Sequence, residues 1–420
     1  MSNAVTNDLY SDVVGATRSR KPKHTANQIV TVTPKSADEI AAVLIDPERY
    51  PTPVRPRGSG SSTTRATRMV TGTVIDMTGL THVLGRTADT ITVQAGITIR
   101  DLLDYLEEDG YELSCRSSNN DRTVGGAASS PTFSNALEGD VGNFAAGVVS
   151  LTLINALGRK VDVNSRMAEL LSLSRNSYGL LGVIYSVTLR IRPVVCCVTR
   201  HSRTEFDEFA RLVPALTTND AGLHATCNPF KDRVDIEQRC PADQTSRFRM
   251  LPAKLLDWSP SVVVPLVMEQ TGKFRKPLTE GTETNCCWFF PAHTFANAIL
   301  TYQKFCLKHH RETRYRCDLA AEVWRVAQDD SSLLSPSFDG PAFALNIRST
   351  RREGWDDFLL GFAEFAAHFR GLPVFNQTPS FRPTYARRIY GERLHRFRAM
   401  RQRLDPEDRL LNQYFAEHLG

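Results

Sequence analysis

A short turn near the start of the chain combines residue types that bind anions. Residues 57–62 read Arg57, Gly58, Ser59, Gly60, Ser61 and Ser62, and they follow a predicted strand at residues 53–56. Glycine lets the backbone approach a ligand closely, and successive backbone N–H groups in such a turn form a concave anion site. The serine hydroxyls and the Arg57 guanidinium add donors suited to phosphate oxygens. Taken alone, the turn is more typical of an ordinary surface loop.

The surroundings of this turn exclude a dinucleotide-binding βαβ unit. That unit requires G-x-G-x-x-G at the start of a helix, followed by a carboxylate for the ribose. Here the third glycine is missing, and the next predicted element is a strand at residues 73–77. The turn and this strand leave no room for a crossover helix between them.

Two further segments predict a close approach of the backbone to a bound molecule. Residues 119–130 are mostly small and, after Arg122, uncharged, while Gly182 stands at the start of a buried strand. Small residues in such positions mark places where a ligand or another backbone comes near. Three such segments in one region favour a bound cofactor over three unrelated turns.

Short strands and helices surround these segments and indicate an α+β region of roughly 190 residues. Hydrophobic periodicity and turn residues predict its strands and helices. The strands are at 29–32, 53–56, 73–77, 90–94, 147–154, 161–163 and 183–189, and the helices begin at Ser36 and at 98–107. Beyond residue 196, predicted helices at 205–216, 295–308 and 355–369 separate strand-like runs at 261–268, 286–290 and 342–347. The pattern in this second part predicts a sheet that is covered by helices on one face. One basic helix, from Tyr385 to Asp405, is predicted to follow it.

Length and composition indicate an ordinary globular chain. The 420 residues are more than one core usually holds, so two domains are expected. The formal net charge of +5 permits an anionic cofactor or substrate but is too dilute to indicate nucleic acid binding. The longest apolar stretch, residues 144–157, is too short to span a bilayer, so no transmembrane segment is expected.

The cysteine pattern predicts free thiols. Nine cysteines are an odd number, and none of them forms a C-x-x-C motif. The first residues lack the basic and apolar regions of a signal peptide. Together these observations favour a reducing, cytoplasmic environment over a disulfide scaffold or a zinc site, and no metal site is predicted.

In this order and spacing, the segments resemble the FAD-binding domain of the vanillyl-alcohol oxidase (PCMH-type) family. The shared motifs are R-G-x-G-x-S at 57–62, V-I-D-M-T at 74–78, V-x-A-G at 93–96, T-V-G-G-A at 123–127 and G-[VI]-[VI] at 182–184. The resemblance covers residues 25–195. It implies an α+β fold with a two-subdomain PCMH-type FAD-binding domain at 1–195. An α+β cap domain with an antiparallel sheet would follow at 196–375, and a segment at 376–420 would return to the FAD domain.

The resemblance also implies which residues contact FAD. The turn would hold the diphosphate, the T-V-G-G segment would lie along the diphosphate and the ring system, and Ile184 would reach the adenine side. The implied contacts are Arg57, Gly58, Ser59, Gly60, Ser61, Ser62, Ser118, Thr123, Val124, Gly125, Gly126, Ser129, Ser130, Gly182, Ile184 and Asn376. Many members attach the flavin through a histidine where this chain has Ser61, and through a cysteine where it has Ser129 and Ser130. Serine offers no imidazole nitrogen or thiol, so the resemblance predicts non-covalent FAD.

Residues 321–330 resemble the alditol and aldonolactone oxidase branch, in which a glutamate and an arginine face the flavin. Glu322 takes the glutamate position, but Trp324 replaces the arginine, Asn346 replaces a histidine and Arg348 replaces a threonine. The expected lysine is absent from residues 372–379, where Asn376 and Gln377 are candidate donors. The catalytic candidates are therefore Glu322, Trp324, Asn346, Arg348 and Gln377.

The implied activity is oxidation of a hydroxyl group on a sugar-like, lactone or other alcohol substrate. Hydride would pass to flavin N5, and O2 or a carrier would accept the electrons. Because several expected residues are replaced, other functions stay open. They are a dehydrogenase of a phosphorylated or lipid-linked sugar, a flavin-dependent oxidase or cyclase of a specific pathway, and a non-catalytic FAD-binding subunit.

Overall fold

A computed structural model describes residues 29–67, 69–115, 117–133, 142–218, 222–241, 263–265, 283–379 and 381–420. Of residues 217, 218, 240, 241 and 263–265 it describes the backbone alone. The first residues, on which the signal-peptide prediction rests, and most of the strand predicted at 261–268 lie outside these ranges.

The first sheet is parallel and carries the glycine turn at the end of a strand. Its order is β1 (Ile29–Val32), β3 (Gly72–Asp76), β2 (Val54–Arg57). Helix α1 (Ala37–Ile45) begins after Ser36, whose hydroxyl accepts a hydrogen bond from the N–H of Glu39 at 3.2 Å. The predicted strands, helix and cap are confirmed, with strand ends shifted by one residue.

The second sheet is antiparallel and supplies the opposite side of the same region. Its order is β4 (Val83–Arg86), β5 (Thr90–Gln94), β9 (Val183–Pro193), β7 (Val148–Ile154), β8 (Lys160–Val163), and β6 (Tyr111–Leu113) also pairs with β9. Its helices are α2 (Ile99–Glu107), α3 (Val124–Ser129) and α4 (Ala168–Ser174). The predicted hairpin is β7 and β8, and α2 buries Ile99, Leu102, Leu103 and Leu106, as the helical spacing predicts.

The third sheet is antiparallel and lies beyond residue 195. Its order is β13 (Val263–Pro265), β10 (Cys196–Thr204), β12 (Arg233–Pro241), β11 (Gly222–Asn228), β15 (Ala321–Val326), β16 (Ala342–Ser349), β14 (Thr284–Pro291), β17 (Leu372–Pro373). Strands β10, β11 and β12 were not predicted from the sequence. Their buried residues, such as Val234 and Ile236, alternate with charged ones, which lowers the mean hydropathy of the segment.

Helices cover one face of the third sheet, as predicted. They are α5 (Phe206–Thr218), α6 (Ala292–Thr313) and α7 (Trp355–His368). A core rich in aromatic residues, including Phe206, Phe209, Phe295, Phe358 and Phe362, fills the space between helices and sheet. The opposite face contributes Cys287, Phe289 and Trp324 to a separate core shared with the first two sheets.

The C-terminal residues pack against the first two sheets. The predicted single basic helix is wrong, because Gly391, with φ 49°, separates α8 (Thr384–Tyr390) from α9 (Glu392–Leu404). Helix α10 (Gln413–His418) follows. Arg409 donates hydrogen bonds to the carbonyls of Leu44 (3.0 Å) and Val43 (2.9 Å), which ties this segment to α1.

The α+β prediction is confirmed by these helices and antiparallel sheets. The cysteine side chains that the structure describes form no disulfide, and the described His, Cys, Asp and Glu residues include no group of three that could hold a metal ion. Over the described ranges, none of the helices is long and apolar enough to cross a membrane.

Candidate cofactor cleft and catalytic face

A cleft opens between the glycine turn, α3, β9 and the C-terminal segment. It is lined by Arg55, Pro56, Arg57, Gly58, Ser59, Gly60, Ser61, Ser62, Ala66, Thr67, Met77, Ala95, Arg122, Thr123, Gly125, Gly126, Ser129, Ser130, Tyr178, Gly179, Ile184, Asn376 and Phe415. The three segments selected from the sequence thus meet in one cavity.

The glycines of the turn have different roles. A Cβ atom at Gly58 would lie 2.0 Å from Oγ1 of Thr123, so this glycine lets the turn and α3 approach each other. Gly60 has φ 75°, and a Cβ there would meet no heavy atom within 4 Å. Its backbone therefore faces open space, as required of a group that binds a ligand.

Side chains and backbone groups hold the turn in place on its other side. The carbonyl of Asn376 accepts hydrogen bonds from the Thr63 N–H at 3.0 Å and from the Ser62 hydroxyl at 3.1 Å. The Asn376 amide nitrogen donates to the hydroxyl of Ser130 at 3.4 Å, and its Oδ1 atom is buried without a hydrogen-bond partner among the described residues. An orphaned acceptor in the wall of a cleft fits a ligand that donates a hydrogen bond.

Two arginines in the cleft wall have partners that occupy their guanidinium groups. Arg57 forms an ion pair with Asp76 at 2.8 Å. Arg55 is buried and donates to the carbonyls of Leu410 (2.8 Å), Gly179 (3.4 Å) and Tyr178. Burial lowers the pKa of Arg55 to about 10. Arg55 therefore links the C-terminal segment to the loop that precedes β9.

Arg122 is the residue that sequence reasoning overlooked. It stands directly before the T-V-G-G motif and was noted as part of that segment, but not as a site residue. In the structure it is buried and lines the cleft, and it donates to the hydroxyls of Ser61 (3.3 Å) and Thr132 (2.5 Å) and to the carbonyl of Pro131 (3.5 Å). Its charge within a run of small residues was the feature that could have identified it.

Most of the predicted FAD contacts line the cleft, but three do not. Val124 is fully buried in the first turn of α3. Gly182 lies against β7, where a Cβ atom would meet Leu153 Cγ at 2.6 Å, so it serves strand packing. Ser118 donates its backbone N–H to the Phe133 carbonyl at 2.9 Å outside the cleft lining. The structure places these three residues behind the cleft lining, and their contacts with FAD stay a prediction.

Four of the catalytic candidates share the face of the third sheet that is opposite its helices. This inner face is formed by alternate residues of β14, β15 and β16, namely Asn285, Cys287, Glu322, Trp324, Asn346 and Arg348. Glu322 and Asn346 are register partners on neighbouring strands. Gln377 lies apart from this group and from the cleft lining, although its neighbour Asn376 lines the cleft.

Ion pairs hold the Arg348 guanidinium on the inner face. Arg348 donates to both carboxylate oxygens of Glu283 at 2.8 and 3.0 Å and lies 3.3 Å from Glu322. The Glu322 side chain is 8% exposed, whereas Glu283 is 20% exposed. The arrangement compensates the arginine charge twice and keeps the Glu322 carboxylate in a fixed position.

Trp324 is a packing residue at the junction of sheet and cleft. Its ring stacks on His224 with centroids 5.1 Å apart, and the Phe133 ring meets it edge-on at 5.6 Å. Because only 5% of Trp324 is exposed, its faces are not free for a ligand. Its burial favours a packing role, and its catalytic role stays a prediction.

Backbone contacts bring the inner face next to the cleft. The carbonyl of Cys287 accepts hydrogen bonds from the Val374 N–H at 3.0 Å and from the Thr378 hydroxyl at 2.7 Å, on either side of Asn376. Asn285 and Asn346 each have a buried Oδ1 atom that lacks a hydrogen-bond partner among the described residues. Orphaned acceptors on this face fit a hydroxylated substrate bound beside the cleft.

A class of protein follows from this arrangement and from the family comparisons. Residues 29–164 match the FAD binding domain family, and residues 282–418 match the D-arabinono-1,4-lactone oxidase family. The glycine turn, the cleft and the orphaned acceptors fit an FAD molecule. The chain is an FAD-dependent oxidoreductase that acts on CH–OH donors, and the predicted resemblance to aldonolactone oxidases is confirmed.

The chain is also similar in sequence to individual proteins. It is 25% identical to the L-gulonolactone oxidase of Mus musculus, over 91% of this chain and 93% of that protein. It is 32% identical to the L-gulono-1,4-lactone dehydrogenase of Mycobacterium tuberculosis, over 39% of this chain and 37% of that protein. It is 31% identical to the D-arabinono-1,4-lactone oxidase of Eremothecium gossypii, over 43% of this chain and 34% of that protein.

Proposed function

We propose that this chain binds FAD non-covalently in the cleft and oxidises a hydroxyl group of an aldonolactone or a similar sugar lactone. The observation that carries the proposal is the position of Glu322. It lies on the inner face, which adjoins the cleft lined by residues 57–62, and its carboxylate is held by Arg348 at 3.3 Å. Relatives that act on L-gulonolactone and D-arabinono-1,4-lactone support the substrate class.

The proposed domain organisation follows the sheets. The first and second sheets, within residues 29–193, are proposed as the two subdomains of a PCMH-type FAD-binding domain. The third sheet would then form the cap domain, with limits at 1–195, 196–375 and 376–420. The C-terminal segment is grouped with the FAD domain because α10 contributes Phe415 to the cleft.

In the proposed reaction, bound FAD supplies a hydride acceptor at N5. The substrate carbon loses a hydride and its hydroxyl loses a proton, so the lactone loses two hydrogens and gains a carbonyl group. The Glu322 carboxylate takes the hydroxyl proton as general base. O2 or an electron carrier then accepts the two electrons.

The charges of the inner face favour a neutral lactone over the open-chain acid. Arg348 is already paired with Glu283 and Glu322, so it offers no uncompensated positive charge to a substrate carboxylate. The buried Oδ1 atoms of Asn285 and Asn346 can instead accept hydrogen bonds from substrate hydroxyls.

Anaerobic reduction of the flavin tests this proposal. The purified yellow protein is mixed with L-gulono-1,4-lactone, D-arabinono-1,4-lactone, the corresponding open-chain acids and an alditol, and flavin absorbance is followed. We expect a lactone to bleach the flavin and the acid of the same carbon skeleton to leave it oxidised. Bleaching by none of the lactones would contradict the proposed substrate class. Admitting air afterwards distinguishes an oxidase, which recovers its colour quickly, from a dehydrogenase.

The non-covalent attachment has its own test. Ser61, Ser129 and Ser130 line the cleft and provide neither an imidazole nor a thiol, and Cys115 is buried outside the lining residues. We expect acid precipitation to release all the flavin into the supernatant. Flavin retained in the protein pellet would contradict this expectation. The cytoplasmic location expected from the cysteine pattern stays a prediction.

A further inference from the structure

Arg122 carries a buried charge that no carboxylate in the described part of the chain compensates. Only 6% of Arg122 is exposed, yet the residue lines the cleft. Its hydrogen-bond acceptors are two hydroxyls and one carbonyl, all electrically neutral. Burying a cation without an anionic partner costs free energy. Because burial disfavours the charged form, it lowers the pKa of Arg122 to about 10.

The other arginines of the cleft differ from Arg122 in this respect. Arg57 is paired with Asp76, and Arg55 interacts with the Asp405 charge while it ties three backbone carbonyls together. Both therefore have a structural reason for their positions. Arg122 makes contacts that a neutral donor could also make, so its charge calls for an anionic ligand.

The position of Arg122 indicates which end of the cleft that ligand charge occupies. Its guanidinium extends from Ser61 toward Thr132, and the next residue, Phe133, contacts Phe289 and Trp324 of the third sheet. Arg122 therefore stands at the end of the cleft that faces the catalytic candidates.

We propose that Arg122 is a cofactor-contacting cation that stabilises the negative charge which the FAD ring system acquires on reduction. This inference rests on the proposed binding of FAD in the cleft. Reduction adds two electrons and one proton to the oxidised ring, which leaves one negative charge. A fixed guanidinium in a water-poor site stabilises a charge that develops during the reaction more than one already present before it.

Equilibrium redox titration with dithionite and reference dyes measures this role without any substrate. Arg122→Gln removes the charge but keeps hydrogen-bond donors, and Arg122→Lys keeps the charge. Arg396→Gln serves as the matched control. It removes an equal charge from α9, where Arg396 forms an exposed ion pair with Glu169 of α4. FAD affinity is measured for each protein by reconstitution of the apoprotein.

In R122Q we expect the ratio of reduced-FAD to oxidised-FAD affinity to fall about tenfold or more, a midpoint shift of about −30 mV for a two-electron couple. R122K should retain most of the wild-type ratio, and R396Q should match wild type. A lower FAD affinity in R122Q with an unchanged midpoint potential would overturn the proposal, because the guanidinium would then serve the diphosphate or the fold.

Sulfite binding to the unaltered protein and to R122K gives a second reading, in case R122Q does not fold. Sulfite adds to N5 of oxidised flavin and leaves negative charge on the ring, so a cation beside the ring strengthens the adduct. We expect adduct formation in both proteins, and its absence from both would also overturn the proposal. Neither measurement uses a lactone, so a failed Arg122 proposal is distinguishable from a wrong substrate class.

Discussion

The cleft and the inner face of the third sheet are both polar, but different parts of the chain build them. The cleft depends on glycines and on backbone groups within short segments, such as Gly58, which allows contact with Thr123, and Gly60, which leaves the backbone open. The inner face depends on side chains from β14, β15 and β16, which are far apart in sequence. Only Glu322 there retains the residue that the aldonolactone oxidase branch leads one to expect.

Because of this difference, the two regions tolerate different amino-acid substitutions. Few residue types satisfy the geometry of a backbone-built site. A side-chain-built face can change one residue at a time, as the replacements Trp324, Asn346 and Arg348 illustrate. The comparison therefore predicts that substitutions in the cleft affect FAD binding and stability, while substitutions on the inner face affect turnover with FAD still bound.

The largest expected effect is on the inner face. In Glu322→Gln, Arg348 keeps its three hydrogen bonds with Glu283, so the fold and FAD content should be unchanged. Loss of the general base should lower kcat by about 100-fold to 10,000-fold, measured as the rate of anaerobic flavin reduction by the lactone. Glu364→Gln, which breaks an exposed pair with Arg382, is the control and should keep the wild-type rate. A normal rate in E322Q would remove this carboxylate from the reaction.

An intermediate effect is expected in the cleft. In Gly58→Ala, the new methyl group overlaps Thr123, whose Oγ1, Cβ and Cγ2 atoms would lie 2.0, 3.0 and 3.0 Å from it. Because any rotamer of Thr123 leaves an atom in the way, we expect a loss of about 1–3 kcal/mol in the free energy of unfolding and weaker FAD binding. Urea unfolding and flavin content measure both. Gly85→Ala, where a Cβ meets nothing within 4 Å, should behave as wild type. Full FAD occupancy and stability in G58A would show that the two segments can separate without cost.

The same difference explains how much the sequence could predict. The glycine turn, the Ser36 cap and the amphipathic helix α2 are local patterns, and the structure confirms them. Strands β10 to β12 were missed because their charged residues resemble a surface segment. In addition, β10 pairs with a strand far along the chain, Thr204 with Val234, although β11 and β12 form a local hairpin. The break at Gly391 depends on a single positive φ angle that helix periodicity does not reveal.

Site residues follow the same rule. The sequence identified the segment that contains Arg122, but not that its guanidinium is buried against Thr132 and Ser61. It also placed Trp324 among the catalytic candidates, since a strand pattern shows which residues share a face but not that His224 and Phe133 cover the ring. Burial by residues distant in the chain is a tertiary property.

The smallest expected effect is on how the free energy of unfolding and the FAD affinity depend on pH, and it is tested at His418. This residue lies in α10, beside the cleft residue Phe415, and stacks on Phe381 at 4.2 Å. Burial lowers its pKa in the folded chain, so below about pH 6.5 the unfolded chain binds the proton more readily than the folded chain. Its contribution to stability is therefore complete above that pH and is lost as the pH falls through it. We expect the free energy of unfolding and the FAD affinity to decline together between pH 7 and pH 5, and the decline to be shallower in His418→Phe, which keeps a stacked ring without the titration. Parallel pH curves for the two proteins would mean that α10 does not couple protonation to the cleft.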